Sequence, residues 1–527
     1  MKTNRTAALI AVLALVLAAC AGSTADSTTT TAEAPATTEG AETPATTEAP
    51  AETTTTAAEA SAATEVTIGL QLEPPTLDLT ASPAAAIPQV LLYNVYEGLV
   101  RLQDDGSITG LLASDWEISD DGLTYTFNLQ EGVSFHNGEP FTADDVVFSI
   151  NNVVNNETHP FTTTLAPITN VEATDESTVV LTLSQVSANL LFFLTQGQGV
   201  ILKESAIGAI ENEPVGTGPF TFSSWTVGDS IVLERNDSYW GDAALLEMVT
   251  FRYINEPNAL TNAMLSDDLD ILAGVSAPET LAEFESDDRF QVREGLTYGE
   301  TVLSLNGRMA PLDNVLVRQA VTHAINRQDV VDLAYSGYGT VIGSFSTPLD
   351  GWFKEIDAYP YDPQAAIDLL AEAGYDGTPL QMILPPVSYA TRSGEIIASQ
   401  LADVGVPVEI TNVEWGVWLE DVFTNHDFHM SIVSHVEPFD LAQYGNPDYY
   451  WGNDSPEVAD LIAQADAEPD EAARNELYGQ VLDNISEVAA DNWLFVLPAL
   501  AVQRVGVSGY KIDLPGSLDV TELALNE

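Results

Sequence analysis

Apolar and polar residues alternate through Leu123-Thr-Tyr-Thr-Phe-Asn-Leu129, and this period of two predicts a strand with one buried face. Thr178-Val-Val-Leu-Thr-Leu183 repeats the pattern and predicts a second. Helical signals lie between such runs. Thr142 stands before Ala143-Asp144-Asp145-Val146, so a hydroxyl cap is followed three residues later by an acid at the positive end of the helix dipole. Asp362-Pro363 opens Gln364-Ala-Ala-Ile-Asp-Leu-Leu-Ala-Glu-Ala373, which Gly374 closes. A further helix is expected to end near Gly405, before a strand over Val406-Pro-Val-Glu-Ile-Thr411. The alternation predicts a mixed α/β protein. The roughly 460 residues from Glu65 onward exceed one ordinary core, so two or three packing units are expected.

The first 64 residues follow another pattern. Lys2 and Arg5 precede an apolar run from Ala7 to Leu17 and then Leu17-Ala-Ala-Cys20, the order of a secretory leader. Eleven apolar residues are too few to span a bilayer, which takes about 20. The segment resembles the bacterial lipobox, which implies cleavage after residue 19 and lipidation of Cys20, the chain's one cysteine. With no second cysteine, no internal disulfide is possible. Ser23 to Thr64 is almost wholly Thr, Ala, Glu and Pro, without Leu, Ile, Val or an aromatic residue. Such a stretch buries too little apolar surface to offset its chain entropy and is expected to be a disordered tether, here residues 20–64.

Charge narrows the partners. Sixteen basic residues face 79 acids, a formal net charge of −63. A surface dominated by carboxylates excludes nucleic acid and anionic lipid as binding partners, and keeps a protein soluble where salt screens its self-repulsion.

Specific phrases then recur. Tyr96-Glu-Gly-Leu-Val100, Leu112-Ala-Ser-Asp-Trp-Glu-Ile-Ser-Asp-Asp-Gly-Leu-Thr-Tyr-Thr-Phe127 and Gly132-Val-Ser-Phe-His-Asn-Gly-Glu-Pro-Phe-Thr-Ala-Asp-Asp-Val146 resemble extracellular solute-binding protein family 5, the peptide and nickel receptors of ABC importers. Val215-Gly-Thr-Gly-Pro-Phe220, Glu234-Arg-Asn-Asp-Ser-Tyr-Trp240 and Val317-Arg-Gln-Ala-Val-Thr-His-Ala-Ile-Asn-Arg327 are similar to the same family in the same order. The resemblance implies a two-lobed periplasmic-binding-protein-like fold of the class II type, with an additional subdomain in lobe I. Carried onto this chain, lobe I takes 66–100, 215–308 and 498–527, the subdomain 101–214 and lobe II 309–497. It also implies function: capture of a small solute, a short peptide foremost, in the interlobe cleft and delivery to permease subunits in the membrane. An oligosaccharide, an opine-like compound or a metal chelate is the alternative ligand. No cofactor is implied, and the chain is expected to act as a monomer, outside the cytoplasm, anchored to the membrane through Cys20.

The same resemblance suggests the ligand-facing residues. Chain crossings are expected near Gly216-Thr217-Gly218 and near Pro498, with Thr217 counted toward the ligand. One cleft wall is expected over Phe428 to Asp440, contributing Ser434, His435, Glu437 and Asp440, with Tyr449, Tyr450 and Trp451 just beyond. The family's peptide binders carry a Trp and an Asp on the matching strand, where this chain has Ser431 and Ser434. A hydroxyl supplies only a dipole to an ammonium, so Glu437 or Asp440 takes that role, or the ligand is not a simple peptide. Tyr389 and Arg392 come from the facing segment. A guanidinium grips a carboxylate with two hydrogen bonds, so Arg392 either holds an anionic ligand group or pairs at the surface with an acid such as Glu395. Trp415 and Trp418 either stack on the ligand or pack in the core.

A metal site is not expected from His426, His429 and His435. The first two point to opposite faces of a strand, and the last two lie roughly 20 Å apart along it. Motifs for hydrolases, zinc peptidases and phosphate-binding loops are missing from the sequence, so the chain is expected to be a receptor and not an enzyme.

Overall fold

A computed structural model describes residues 64–513 and 516–526. The predicted leader, Cys20 and nearly all of the tether lie outside the described residues. Two mixed sheets and one antiparallel sheet carry the chain. The largest has seven strands, in the order Phe290–Gly295, Ala499–Arg504, Ile271–Ala273, Glu65–Leu70, Met248–Tyr253, Ser230–Arg235 and Phe220–Thr226. The second has six: Thr340–Val341, Asn492–Val496, Glu300–Leu305, Met430–His435, Leu380–Leu384 and Val408–Asn412. Strand Glu300–Leu305 is buried along its whole length, as expected for a centre paired on both sides. It belongs to the second sheet, although the sequence reading carried lobe I to residue 308.

The third sheet is the four-stranded Ala113–Ile118, Thr124–Leu129, Thr178–Leu183 and Ile168–Asp175. Tyr125, Phe127, Val179 and Leu181 bury the alternating face that the sequence showed. Helix Ala143–Val154 covers that face, and its Thr142 backbone N–H donates to Asp145 at 2.9 Å. Helix Pro363–Ala373 likewise has its expected ends: Asp362 accepts from the N–H groups of Gln364 and Ala365, and Gly374 turns left-handed at φ 71°.

The chain passes between the two large sheets twice, side by side. Leu296–Gly299 joins strand Phe290–Gly295 to strand Glu300–Leu305, and Leu497–Pro498 joins Asn492–Val496 to Ala499–Arg504. The crossings are bonded to one another: Leu497 N–H donates to the Gly299 carbonyl at 2.7 Å, and Thr297 Oγ1 donates to the Leu497 carbonyl at 2.6 Å. The expected crossing near Pro498 is therefore present, but its companion is 296–299 and not 216–218. Residues 216–218 close the base of the four-stranded insertion instead. Gly216 and Gly218 press against the carbonyls of Val95 and Asn94 so closely that a Cβ at Gly216 would lie 1.8 Å from the Val95 oxygen.

At that base sits a buried carboxylate, Glu97. It accepts from Tyr239 Oη at 2.6 Å, Thr217 Oγ1 at 2.8 Å and Trp240 Nε1 at 3.0 Å. Burial outweighs these donors and lifts its pKa from 4.5 to about 7. Between those values the folded chain keeps a proton that the unfolded chain has released, so stability from this group falls as pH rises through the window. Glu97→Gln should remove that slope, worth about 3 kcal/mol in full. Thermal unfolding of both chains at pH 4.5, 6 and 7.5 measures it; parallel pH profiles would refute the assignment.

Candidate functional site

Where the crossings meet the second sheet, Tyr298, Glu300, Phe345, Asp350, Trp352, Glu437, Pro438, Phe439, Asp440 and Leu441 surround a small cavity. Tyr298 lies in the crossing itself and Glu300 begins the central strand, so backbone pairing fixes both. Phe345, Asp350 and Trp352 come from the segment after strand Thr340–Val341, and 437–441 follow the end of Met430–His435. The free space is about 10 Å³, room for one water.

Phe439 fills the rest. Its ring meets Phe192 edge-on at 5.2 Å, Phe193 at 6.0 Å and Trp352 at 5.7 Å. Phe192 and Phe193 belong to helix Leu190–Leu194 of the insertion, so this ring bridges the insertion and the second sheet. Phe439 holds a left-handed backbone, φ 74°, which costs a residue with a Cβ about 1–2 kcal/mol.

Four carboxylates surround the ring. Glu300 is 5% exposed and receives no hydrogen bond from another residue among the described residues. Asp350 accepts from the Thr347 N–H at 2.7 Å. Burial first, and then the neighbouring acids Asp350, Asp440 and Glu437, hold the Glu300 carboxyl well above its ordinary range; burial raises Asp350 too. Glu437 is raised by burial and by Asp440. Asp440 Oδ2 lies 3.2 Å from His435 Nδ1, and His435 Nε2 is 3.0 Å from Tyr450 Oη. Among the described residues no lysine or arginine forms an ion pair with any of the four.

Of the residues proposed from sequence, Glu437 and Asp440 line this cavity, with His435 behind Asp440. Ser434 lies beside the crossing: its backbone N–H donates to Tyr389 Oη at 3.1 Å, and its buried hydroxyl has no partner. The remainder have other contacts. Thr217 is bound to Glu97. Tyr450 and Trp451 are about 1% exposed and, with Tyr444 and Phe345, form an aromatic core on which the half-buried Tyr449 packs. Trp415 stacks on the buried Trp418 at 5.2 Å, and Trp418 donates to Ser431 Oγ, so both tryptophans pack. Arg392 is at the surface, bidentate with Glu279 at 2.8 and 3.3 Å and not with Glu395. Of the two readings of Arg392, this is the surface ion pair, with Glu279 as the acid.

Sequence reasoning missed Tyr298, Glu300, Asp350, Trp352 and Phe439. One signal was available for Glu300, a lone acid opening the strand Glu-Thr-Val-Leu-Ser-Leu305. The histidines stay apart in role: His429 accepts from the Gln381 N–H, while His435 is buried at Asp440. Among the described residues no three His, Cys, Asp or Glu side chains are grouped to hold a metal ion.

If Phe439 clasps insertion and second sheet together, Phe439→Gly relieves its backbone and releases the clasp. Small-angle X-ray scattering of the unliganded variant should then give a larger radius of gyration than that of the parent chain. An unchanged radius would mean that other contacts hold the bodies.

Comparison with known proteins places this geometry. Residues 107–456 match the model of bacterial extracellular solute-binding proteins, family 5 Middle. Heme-binding protein A of Haemophilus influenzae is 30% identical over 61% of this chain and 65% of its own length. A putative ABC transporter peptide-binding protein of Brucella ovis is 35% identical over 54% of this chain and 56% of its own. The matches thus span less than two thirds of either relative. In fold, the chain is similar to NikA from Brucella suis, solved in complex with Fe(III)-EDTA: TM-score 0.78, 24% identity, 88% of this chain and 100% of that one. The two-lobed α/β architecture is that of these proteins, and the chain belongs to the bacterial extracellular solute-binding proteins of family 5.

Proposed function

We propose that this chain is the extracytoplasmic substrate-binding component of an ABC-type importer, which captures a small solute between its lobes and passes it to a membrane permease. The observation that carries the reading is the position of the cavity: it lies at the paired crossings, walled by the second sheet and touched by the insertion. A solute there gains contacts from both bodies only when they are shut, and this differential affinity is what drives closure. The names of the relatives, a heme-binding protein and a peptide-binding protein, support a receptor and leave its ligand open.

A short peptide is the ligand we put first, with Glu437 or Asp440 meeting its amino terminus. Cys20 is the proposed lipid anchor, and the Thr-rich stretch behind it the tether. Among the described residues no helix is long and apolar enough to cross a membrane.

Native mass spectrometry of the protein purified from its own host should find a solute released unaltered on unfolding, and adding that solute back should raise the melting temperature by mass action. Chemical conversion of the solute by the purified chain would overturn the receptor reading. Cys20→Ser should move the protein from the membrane fraction to the soluble one; retention at the membrane would exclude the anchor.

A further inference from the structure

The bodies on either side of the crossings touch in two places, and the contacts differ in kind. At the cavity they are rings: Phe439 of the second body, residues 300–496, against Phe192 and Phe193 of the insertion. Elsewhere they are polar. Tyr338 Oη donates to Glu285 at 2.9 Å, the Gly339 N–H donates to Glu294 at 2.9 Å, and Arg392 donates to Glu279 at 2.8 and 3.3 Å. Among the described residues, every side-chain hydrogen bond between 64–295 and 300–496 is one of these, and in each an acid of the first body accepts from the second.

Strand alternation fixes the side on which this row lies. Glu300 lines the cavity, so Thr301 and Leu303 point to the opposite face of the second sheet. Helices Arg327–Ala334 and Ser388–Asp403 share one core with Leu303, so they cover that opposite face. Tyr338 and Gly339 follow the first helix, and Arg392 lies on the second. The same core runs on into the first body through Leu281 and Phe284, on the short helix Leu281–Glu285 that follows Glu279. The row begins at the crossings: Glu294 stands two residues before Leu296, and a Cβ at Gly339 would lie 3.6 Å from Pro498 Cδ.

We propose that Glu294, Glu285 and Glu279, with their three donors, form a strap that holds the empty receptor shut from the face away from the cavity. The proposal goes beyond the receptor reading, because it rests on the two bodies and not on the solute. A turn about the crossings that parts Phe439 from Phe192 presses the strap face together. That face is already packed and bonded, so its helices have to slide and its hydrogen bonds have to break before the cavity opens. Acids outnumber basic residues 79 to 16, so the bodies repel one another and a tie between them opposes that repulsion. The strap favours the shut form whatever the solute, and so sets affinity without touching it. Arg392, which resemblance brought to the ligand, acts on it from a distance as a positioning residue.

The test needs no solute. Spin labels on Glu131→Cys in the insertion and Asp460→Cys in the second body, in the full chain carrying Cys20→Ser, report the distance between the bodies by double electron–electron resonance. The three acids are exposed, so Glu279→Ala, Glu285→Ala and Glu294→Ala together leave the core whole. They should raise the ratio of long to short distances about tenfold, the summed effect of three surface bonds, with little change in melting temperature. Arg392→Ala with Tyr338→Phe cuts two of the bonds from the other end and should shift the ratio the same way; it decides the matter if the triple variant fails to fold. Asp242→Ala, Glu283→Ala and Asp288→Ala remove the same charge from the first body and no bond of the strap, and should leave the ratio where it is. Unchanged or shorter distances in the cut variants, or an equal shift in the charge control, would overturn the strap. Neither result touches the receptor reading, which stands or falls with the solute recovered by native mass spectrometry.

Discussion

The two crossings between the large sheets, hydrogen-bonded to each other through Leu497, Gly299 and Thr297, are the constraint on which the rest depends. Because two strands pass at one place, the bodies on either side cannot translate freely; they can only rotate about a short axis. The cavity grows from that axis. Tyr298 is part of it, Glu300 is the first residue beyond it, and Ser434 packs beside it. Phe439 lines the same cavity, and Phe192 of the insertion meets the Tyr298 ring edge-on at 6.2 Å, so the insertion also reaches the crossing.

Local elements were largely legible because their causes are local. The alternation at 124–129 and 178–183, the Thr142 and Asp362 caps and the Gly374 stop all appear where short-range chemistry placed them. The predicted strand from Val406 begins at Val408 instead, because Pro407 has no N–H to give a ladder. The site was less legible. Glu437 and Asp440, named through resemblance, line the candidate cavity, but Tyr450, Trp451, Trp418 and Thr217 look the same in sequence whether they face a ligand or a core. Arg392 found Glu279, an acid 113 residues away. Glu300 and Asp350 were two acids among 79 until the fold removed water from around them.

This contrast separates two uses of one residue type. Most acids here lie exposed, where water and salt screen them and where they act as a soluble coat. Glu97, Asp491, Glu300 and Asp350 are buried, and burial raises the pKa of each. Asp491 accepts from the Leu305 N–H and the Tyr444 hydroxyl, as Glu97 accepts from three donors, so both are structural knots. Glu300 accepts from no other residue among the described residues, and that difference sets it apart from these two ties.

The knot at Glu97 has a consequence for how such a chain diversifies. Because Glu97 and Thr217 bring the start and the end of the four-stranded insertion within one hydrogen bond, the 119 intervening residues leave the host sheet and return to it at one point. Lengthening, trimming or exchanging that excursion alters loop-closure entropy only logarithmically and leaves the host sheet's register alone. A change within the excursion reaches the cavity through the Phe192–Phe193 face that it presents to Phe439.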